Sequence, residues 1–256
     1  MVTMKRIPME ERINEKALRA SKMANSQYKL PILLLLDTSG SMEIDNNIGH
    51  LNEGVAQFYK HFIEDEYAAL YTEITVITFG DGDARVEAAF GDPRNHIIKE
   101  FTPAGNSPFC TGLVMGLDLI EDQIDIYNNK GIVTHPPVII TLTDGYPTRI
   151  EYDELGKVIL LERQDGEYKL AKEKFDLFVK ELNLDSHIIF FGDKDENIDI
   201  LKEFASSDEN IRKLDQLDFV SFFNSLGKSI SELSKIIPTG HSQFAMQDIF
   251  DRYKKK

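Results

Sequence analysis

The feature that most constrains the fold is a nearly unbroken apolar run at residues 30–36 (LPILLLL), which stops abruptly at Asp37-Thr38-Ser39-Gly40-Ser41. The run is far short of the roughly 20 residues that span a bilayer. It is apolar at almost every position, not at every second one, so it reads as a strand covered on both faces, as in parallel sheets flanked by helices. Residues 73–79, 138–143 and 187–191 have the same character. Between these runs lie amphipathic segments. Ile48, Leu51, Val55, Phe58 and Phe62 recur at steps of three and four, as do Leu113, Leu117, Ile120, Ile124 and Tyr127. Ala171, Phe175, Phe178 and Leu182 repeat the spacing, and so do Phe219, Phe223, Leu226, Ile230, Leu233 and Ile237. Each set makes one apolar stripe on a helix and is expected to be core. Strands alternating with such helices predict an α/β fold: a three-layer sandwich with a mostly parallel central sheet and helices on both faces. Residues 85–90, after the turn signal Gly80-Asp81-Gly82-Asp83, are expected to return as one antiparallel edge strand.

Organisation and charge narrow the function. A charged N-terminal extension (1–27) is expected to precede a single domain (28–237). A tail (238–256) then places Met246, Ile249, Phe250 and Tyr253 at the spacing of a short amphipathic helix. An insertion at 149–167, carrying Val158, Ile159, Leu160 and Leu161, is expected to form a small extra hairpin. With 29 Lys+Arg against 43 Asp+Glu, the net charge of −14 argues against partners bound through phosphate, whether nucleic acid or an anionic membrane surface. The first 27 residues contain no apolar h-region, so neither secretion nor membrane insertion is expected. The single cysteine, Cys110, cannot form an internal disulfide, and the cytoplasm is the expected compartment.

The chemistry concentrates at strand ends. In open α/β sheets ligands bind beyond the carboxyl ends of the strands, near the point where strand order reverses. Asp37, Ser39 and Ser41 alternate along a Gly-containing turn there, so one carboxylate and two hydroxyls can converge, a set that suits a hard divalent cation. The competing reading is that these hydroxyls only cap the next helix. Residues 138–143 run into Asp144-Gly145, a second strand end with a lone carboxylate. Gly105-Asn106-Ser107-Pro108 supplies a further hydroxyl just before a helix expected to start near Thr111. No P-loop or dinucleotide fingerprint is present. The six histidines show no H-E-x-x-H and no pairing with cysteine, leaving little support for zinc. Cys110 reads as a small buried hydrophobe. Asp45, Asp81 and Asp83 read as solvated turn acids, with a place on the rim of the site as the alternative.

Together, Asp37-Thr38-Ser39-Gly40-Ser41-Met42, Ser107 and Asp144 resemble the metal-ion-dependent adhesion site of von Willebrand factor A (vWA) domains, over roughly residues 30–236. The context LPILLLLDTSGSM, GNSPFCTGL and PPVIITLTDGYPT is most similar to bacterial tellurium-resistance-type members. The resemblance implies that Ser39, Ser41 and Ser107 offer hydroxyl oxygens to Mg²⁺, with Mn²⁺ or Ca²⁺ as alternatives, while Asp37 and Asp144 act directly or through water. Ser107 departs from the pattern G-x-T-x-L-x-x-A-L, which usually carries Thr at that position, and Thr111 is its rival. The implied function is a non-catalytic, metal-dependent protein–protein interaction module whose partner presents an acidic residue to the metal. The implied setting is a tellurium-resistance, stress or phage-defence system, with protein kinase and phosphatase partners. The enzyme alternative is a metal-dependent phosphatase or hydrolase with Asp37 at the strand end. Dehalogenase-type phosphatases, however, need a second Asp two positions on, where this chain has Ser39.

Overall fold

The computed structural model describes residues 27–191, 198–214 and 219–236. The expected tail helix, Ile237 and all but the last residue of the N-terminal extension lie outside these described residues. In chain order the elements are β1 (Tyr28–Asp37), a 3₁₀ segment (Gly40–Asn46), α1 (Asn47–Glu64), α2 (Glu66–Tyr71), β2 (Thr72–Gly80), β3 (Asp83–Gly91), α3 (Phe109–Lys130), β4 (Val133–Thr134) and β5 (Val138–Thr143). The chain continues through β6 (Thr148–Tyr152), β7 (Val158–Leu160), α4 (Gly166–Leu182), β8 (Asp185–Phe191), α5 (Asp199–Lys202), β9 (Ile211–Leu214) and α6 (Phe219–Ile236). The main sheet has the order β3-β2-β1-β5-β8-β9, with the short β4 also pairing β1. All its pairings are parallel except β2 with β3, the expected antiparallel edge. A two-residue turn joins these two strands. Asp81 (φ 52°) and Gly82 (φ 74°) both lie in the left-handed region, which matches the twist of a hairpin.

The pleat of β1 sorts its side chains into two cores. Leu30, Ile32, Leu34 and Leu36 face the helices α1, α2 and α6, packing with Phe58, Phe62 and Phe223. Leu33 and Leu35 point the other way, toward α3, α4 and α5, among Leu117, Ile120 and Phe175. The first three helical stripes expected from sequence are therefore core, with Ile48, Ile124 and Leu182 half-buried at their margins, and so are Phe223, Leu226 and Ile230 of the fourth. The result is the expected three-layer sandwich. Cys110 is buried within the second core.

Topology places a crevice at the carboxyl end of β1. From β1 the chain moves outward through β2 and β3, then returns to β5 on the other side of β1 and continues through β8 and β9. Right-handed crossovers put the connecting helices on opposite faces for the two directions, so the connections diverge between β1 and β5. Four features lie beyond the sequence expectations. Helix α2 starts afresh because the Asp65 side chain caps it, accepting from Tyr67 N–H (3.0 Å) and Ala68 N–H (3.2 Å). Strands β4 and β9 and helix α5 are too short to show a period. The insertion does form a hairpin, β6 antiparallel to β7. Among the described residues no helix is long and apolar enough to cross a membrane.

The central strand sets an expected outcome. Leu35 is fully buried, so Leu35→Ala should cost about 2–5 kcal/mol through lost transfer energy and a residual cavity. Urea denaturation should show a lower midpoint with an unchanged slope; a midpoint equal to the parent's would contradict the two-sided burial of β1.

Candidate metal centre

Three loops meet at the crevice, and backbone hydrogen bonds lock them together. Thr38 N–H donates to the Phe79 carbonyl (2.9 Å), Ala104 N–H to the Thr38 carbonyl (2.9 Å), Gly40 N–H to the Gly105 carbonyl (3.0 Å) and Asp81 N–H to the Ala104 carbonyl (2.7 Å). The loop that carries Ser107 is thereby stitched to the end of β1 and to the β2–β3 turn. Gly105 makes this approach possible. Its φ is +62°, and a Cβ there would stand 2.6 Å from the Asp81 Cα, so any other residue would be strained and would push the loop outward.

The side chains converge on Asp37, which is wholly buried. Its Oδ1 accepts from Ser39 N–H (2.8 Å), and its Oδ2 accepts from the hydroxyls of Ser107 (3.1 Å) and Thr143 (2.6 Å). The hydroxyls of Ser39 and Ser41 lie 3.1 Å apart, and Ser41 donates to Asp144 Oδ1 (2.8 Å). Burial pushes the Asp37 carboxyl above the usual carboxylate range, while the hydrogen bonds from Ser39, Thr143 and Ser107 act in the opposite direction. All five residues singled out from sequence are thus drawn to one crevice, Asp37 with Ser107 in one set of bonds and Ser39, Ser41 and Asp144 in the other.

Thr143 is the member that sequence reading missed. It was legible only as the second residue of L-T-D-G, one position before Asp144, where a threonine also serves as an ordinary strand former. Thr111 lies inside α3, in its first turn, whereas Ser107 precedes that helix and reaches Asp37. The outlying acids have other engagements. Asp81 pairs with Arg85 at 3.4 Å, and Asp83 accepts from Ala84 N–H at 2.8 Å. Asp45 is exposed on the 3₁₀ segment. Burial pushes the Cys110 thiol up, with Glu167 and Asp165 adding to the effect, which leaves it unreactive. Among the described residues no three His, Cys, Asp or Glu side chains gather around one point, so the cluster is one of hydroxyls with two carboxylates.

No family model matches the chain, and no curated protein matches it. Solved structures do. The vWF domain of the type V pilus tip protein Mfa5 from Porphyromonas gingivalis aligns over 85% of this chain and 98% of that one, with 12% identity and a TM-score of 0.55. The pilus adhesin SpaC from Lactobacillus rhamnosus GG aligns over 80% of this chain, with 15% identity and a TM-score of 0.59; the chain spans only 30% of the SpaC chain. Proximal thread matrix protein 1 from the mussel byssus aligns over 82% of this chain and 49% of that one, with 12% identity and a TM-score of 0.51. The fold is that of a vWA domain.

The glycine in the second loop carries a testable consequence. Gly105→Ala should destabilise the protein by about 1–2 kcal/mol from its left-handed backbone alone, with a further cost from the contact with Asp81. Thermal denaturation in chelator reads the effect directly; an unchanged melting temperature would mean that the loops are not locked as described.

Proposed function

We propose that this chain is a metal-dependent protein-interaction module that binds a divalent cation at the Asp37 cluster and through it captures an acidic residue of a partner. The observation that carries the reading is the convergence of Asp37, Ser39, Ser41, Ser107, Thr143 and Asp144 at the end of β1. The donor set fits a hard cation. A serine hydroxyl has one proton and two lone pairs. Ser107 directs its proton to Asp37 and Ser41 directs its own to Asp144, so their lone pairs remain for a cation. Ser39, Ser41 and Ser107 would hold the ion, and Asp37 and Asp144 would balance its charge from beside or behind them. Mg²⁺ is the preferred ion because it retains several waters, and Mn²⁺ or Ca²⁺ would take the same oxygens. A bound cation would supply an open position for a partner carboxylate and reverse the local field of an acidic protein.

The same residues argue for binding over hydrolysis. Ser39 occupies the place where a dehalogenase-type phosphatase would need its proton-donating acid, and the nearby Cys110 is buried. The resemblance in sequence extends the proposal to a cytoplasmic assembly of the tellurium-resistance, stress or phage-defence type, with kinase or phosphatase partners. Purified protein with Mg²⁺ or Mn²⁺ should leave phosphomonoesters untouched. Turnover that vanished in both Asp37→Asn and Asp144→Asn would return the phosphatase reading.

Thermal melts with Mg²⁺ and with EDTA test the site itself. An ion at about 100 times its dissociation constant adds about 2.7 kcal/mol, and Asp37→Ala should abolish that gain. Ser107→Ala should reduce it while Thr111→Ala leaves it intact. Thr143→Val should weaken the ion by about 10–100-fold, as loss of a supporting hydrogen bond does. Metal binding needs the Asp37 carboxylate. Because burial raises its pKa, protons compete at higher pH than for an ordinary carboxylate, and affinity should fall as pH drops through that raised value. An Asp37→Ala variant that keeps the parent's metal-dependent shift would sink the reading.

A further inference from the structure

We propose that the β6–β7 hairpin forms the other half of the docking surface. Its apolar face, Tyr152, Val158 and Leu160 with Leu155 at the tip, receives the apolar side chains of a partner protein segment whose acidic residue sits at the Asp37–Asp144 cluster. The placement of that acidic residue rests on the metal-site reading; the apolar half stands on the hairpin alone.

The hairpin is built onto the loop that carries Ser107. Thr148 N–H donates to the Ser107 carbonyl (2.9 Å) and Ser107 N–H donates to Thr148 Oγ1 (2.8 Å). The Asn106 amide donates to the carbonyls of Arg149 (2.7 Å) and Ile150 (3.1 Å). On the far side Arg149 Nε donates to Asp165 Oδ2 at 2.8 Å, just ahead of α4. The tip is equally fixed: Asp153 Oδ1 accepts from the N–H groups of Leu155 (2.9 Å) and Lys157 (2.7 Å).

These bonds hold the hairpin without burying its apolar residues. Leu155 is 81% exposed, Leu160 54%, Val158 48% and Tyr152 43%. Among the described residues they are four of the twelve exposed large hydrophobics, gathered in one short element. A two-stranded hairpin gains no core of its own from them, and concentrated apolar exposure of this kind marks interaction surfaces. Register puts them together. Tyr152 faces Val158 across the pair, and Val158 and Leu160 are two apart on β7, so these three share one side, with Leu155 in the turn that joins the strands; toward the base the register shifts before Thr148 faces Leu160. That side is continuous with the metal centre. At the base of the hairpin the buried Thr148 accepts from Ser107 N–H, and the Tyr152 hydroxyl lies 3.0 Å from where a Gly105 Cβ would stand. Glu151 and Glu154 are exposed beside the apolar residues. The occupant that matches is a segment acidic at the metal end, apolar in the middle and basic beyond.

Selection of a random peptide library displayed on phage, against the full chain in Mg²⁺, tests this. The parent should enrich peptides with one Asp or Glu followed or preceded closely by Leu, Ile, Val or Phe. Leu155→Ser/Val158→Ser/Leu160→Ser should keep the acidic preference, lose the apolar one and bind a parent-selected peptide at least about tenfold more weakly, tenfold being the loss expected when even one apolar contact is removed. If that variant melts early, Leu155→Ser alone, at the most exposed position, takes its place. Asp37→Ala, or EDTA, should do the reverse, removing the acidic preference and keeping the apolar one; an acidic preference unmoved by either overturns the metal reading and leaves the hairpin to be judged on the apolar preference. The proposal is overturned if no peptide is enriched, if the parent shows no apolar preference, or if the hairpin variant binds with parent affinity. It is also overturned if sedimentation shows the parent to be a dimer that the hairpin substitutions convert to monomer, since a second copy would then cover this face.

Discussion

Taking a carboxylate out of water is among the costliest things a fold can do, and the upper edge of this sheet is organised around one. Strand β1 is paired on both sides and covered on both faces, so its last residue, Asp37, arrives fully buried. Three donors answer it: the Ser39 N–H, the Ser107 hydroxyl and the Thr143 hydroxyl. They come from three different parts of the chain. The backbone lock between the loops and the left-handed Gly105 hold them in place, in the crevice that the reversal of strand order opens beside β1.

What could be read from sequence follows the physics of each part. Strands covered on both faces lose the alternation that would hide them among loops, so β1, β2, β5 and β8 stand out as apolar runs, and helices on a sheet need an unbroken stripe. The short pieces carry no such signature. Strand β9, four residues with Arg212 and Lys213 at its centre, pairs only β8 among the described residues and needs little apolar surface. Helix α2 is hidden because Asp65 both ends one helix and caps the next, a boundary that spacing alone does not mark. At the site, Asp37, Ser39, Ser41, Ser107 and Asp144 were legible because they fall at the carboxyl ends of apolar strands or just before a helix, where an open α/β sheet gathers polar side chains. Thr143 was not, since a buried strand threonine looks the same whether or not it supports a carboxylate.

The hairpin shows the opposite relation between legibility and role. Its existence is plain from Val158, Ile159 and Leu160, yet the natural expectation for such a run is burial. Instead, only Ile159 turns partly inward, and Leu161 just beyond the strand is fully buried in the core. The segment is anchored by polar bonds at Asn106, Thr148 and Arg149, so its apolar side chains remain available.

The sequence separations within the cluster have a kinetic consequence. Thr143 reaches Asp37 across 106 positions, and Asp144 reaches Ser41 across 103. Such contacts close only after β1 and β5 have paired, late in assembly, because long loops must be closed before they are rewarded. A ligand held by this cluster would therefore find no assembled site in the unfolded chain. Such a ligand would act on the unfolding rate and not on the folding rate: it would lengthen the lifetime of the native state while leaving the speed at which that state is reached unchanged.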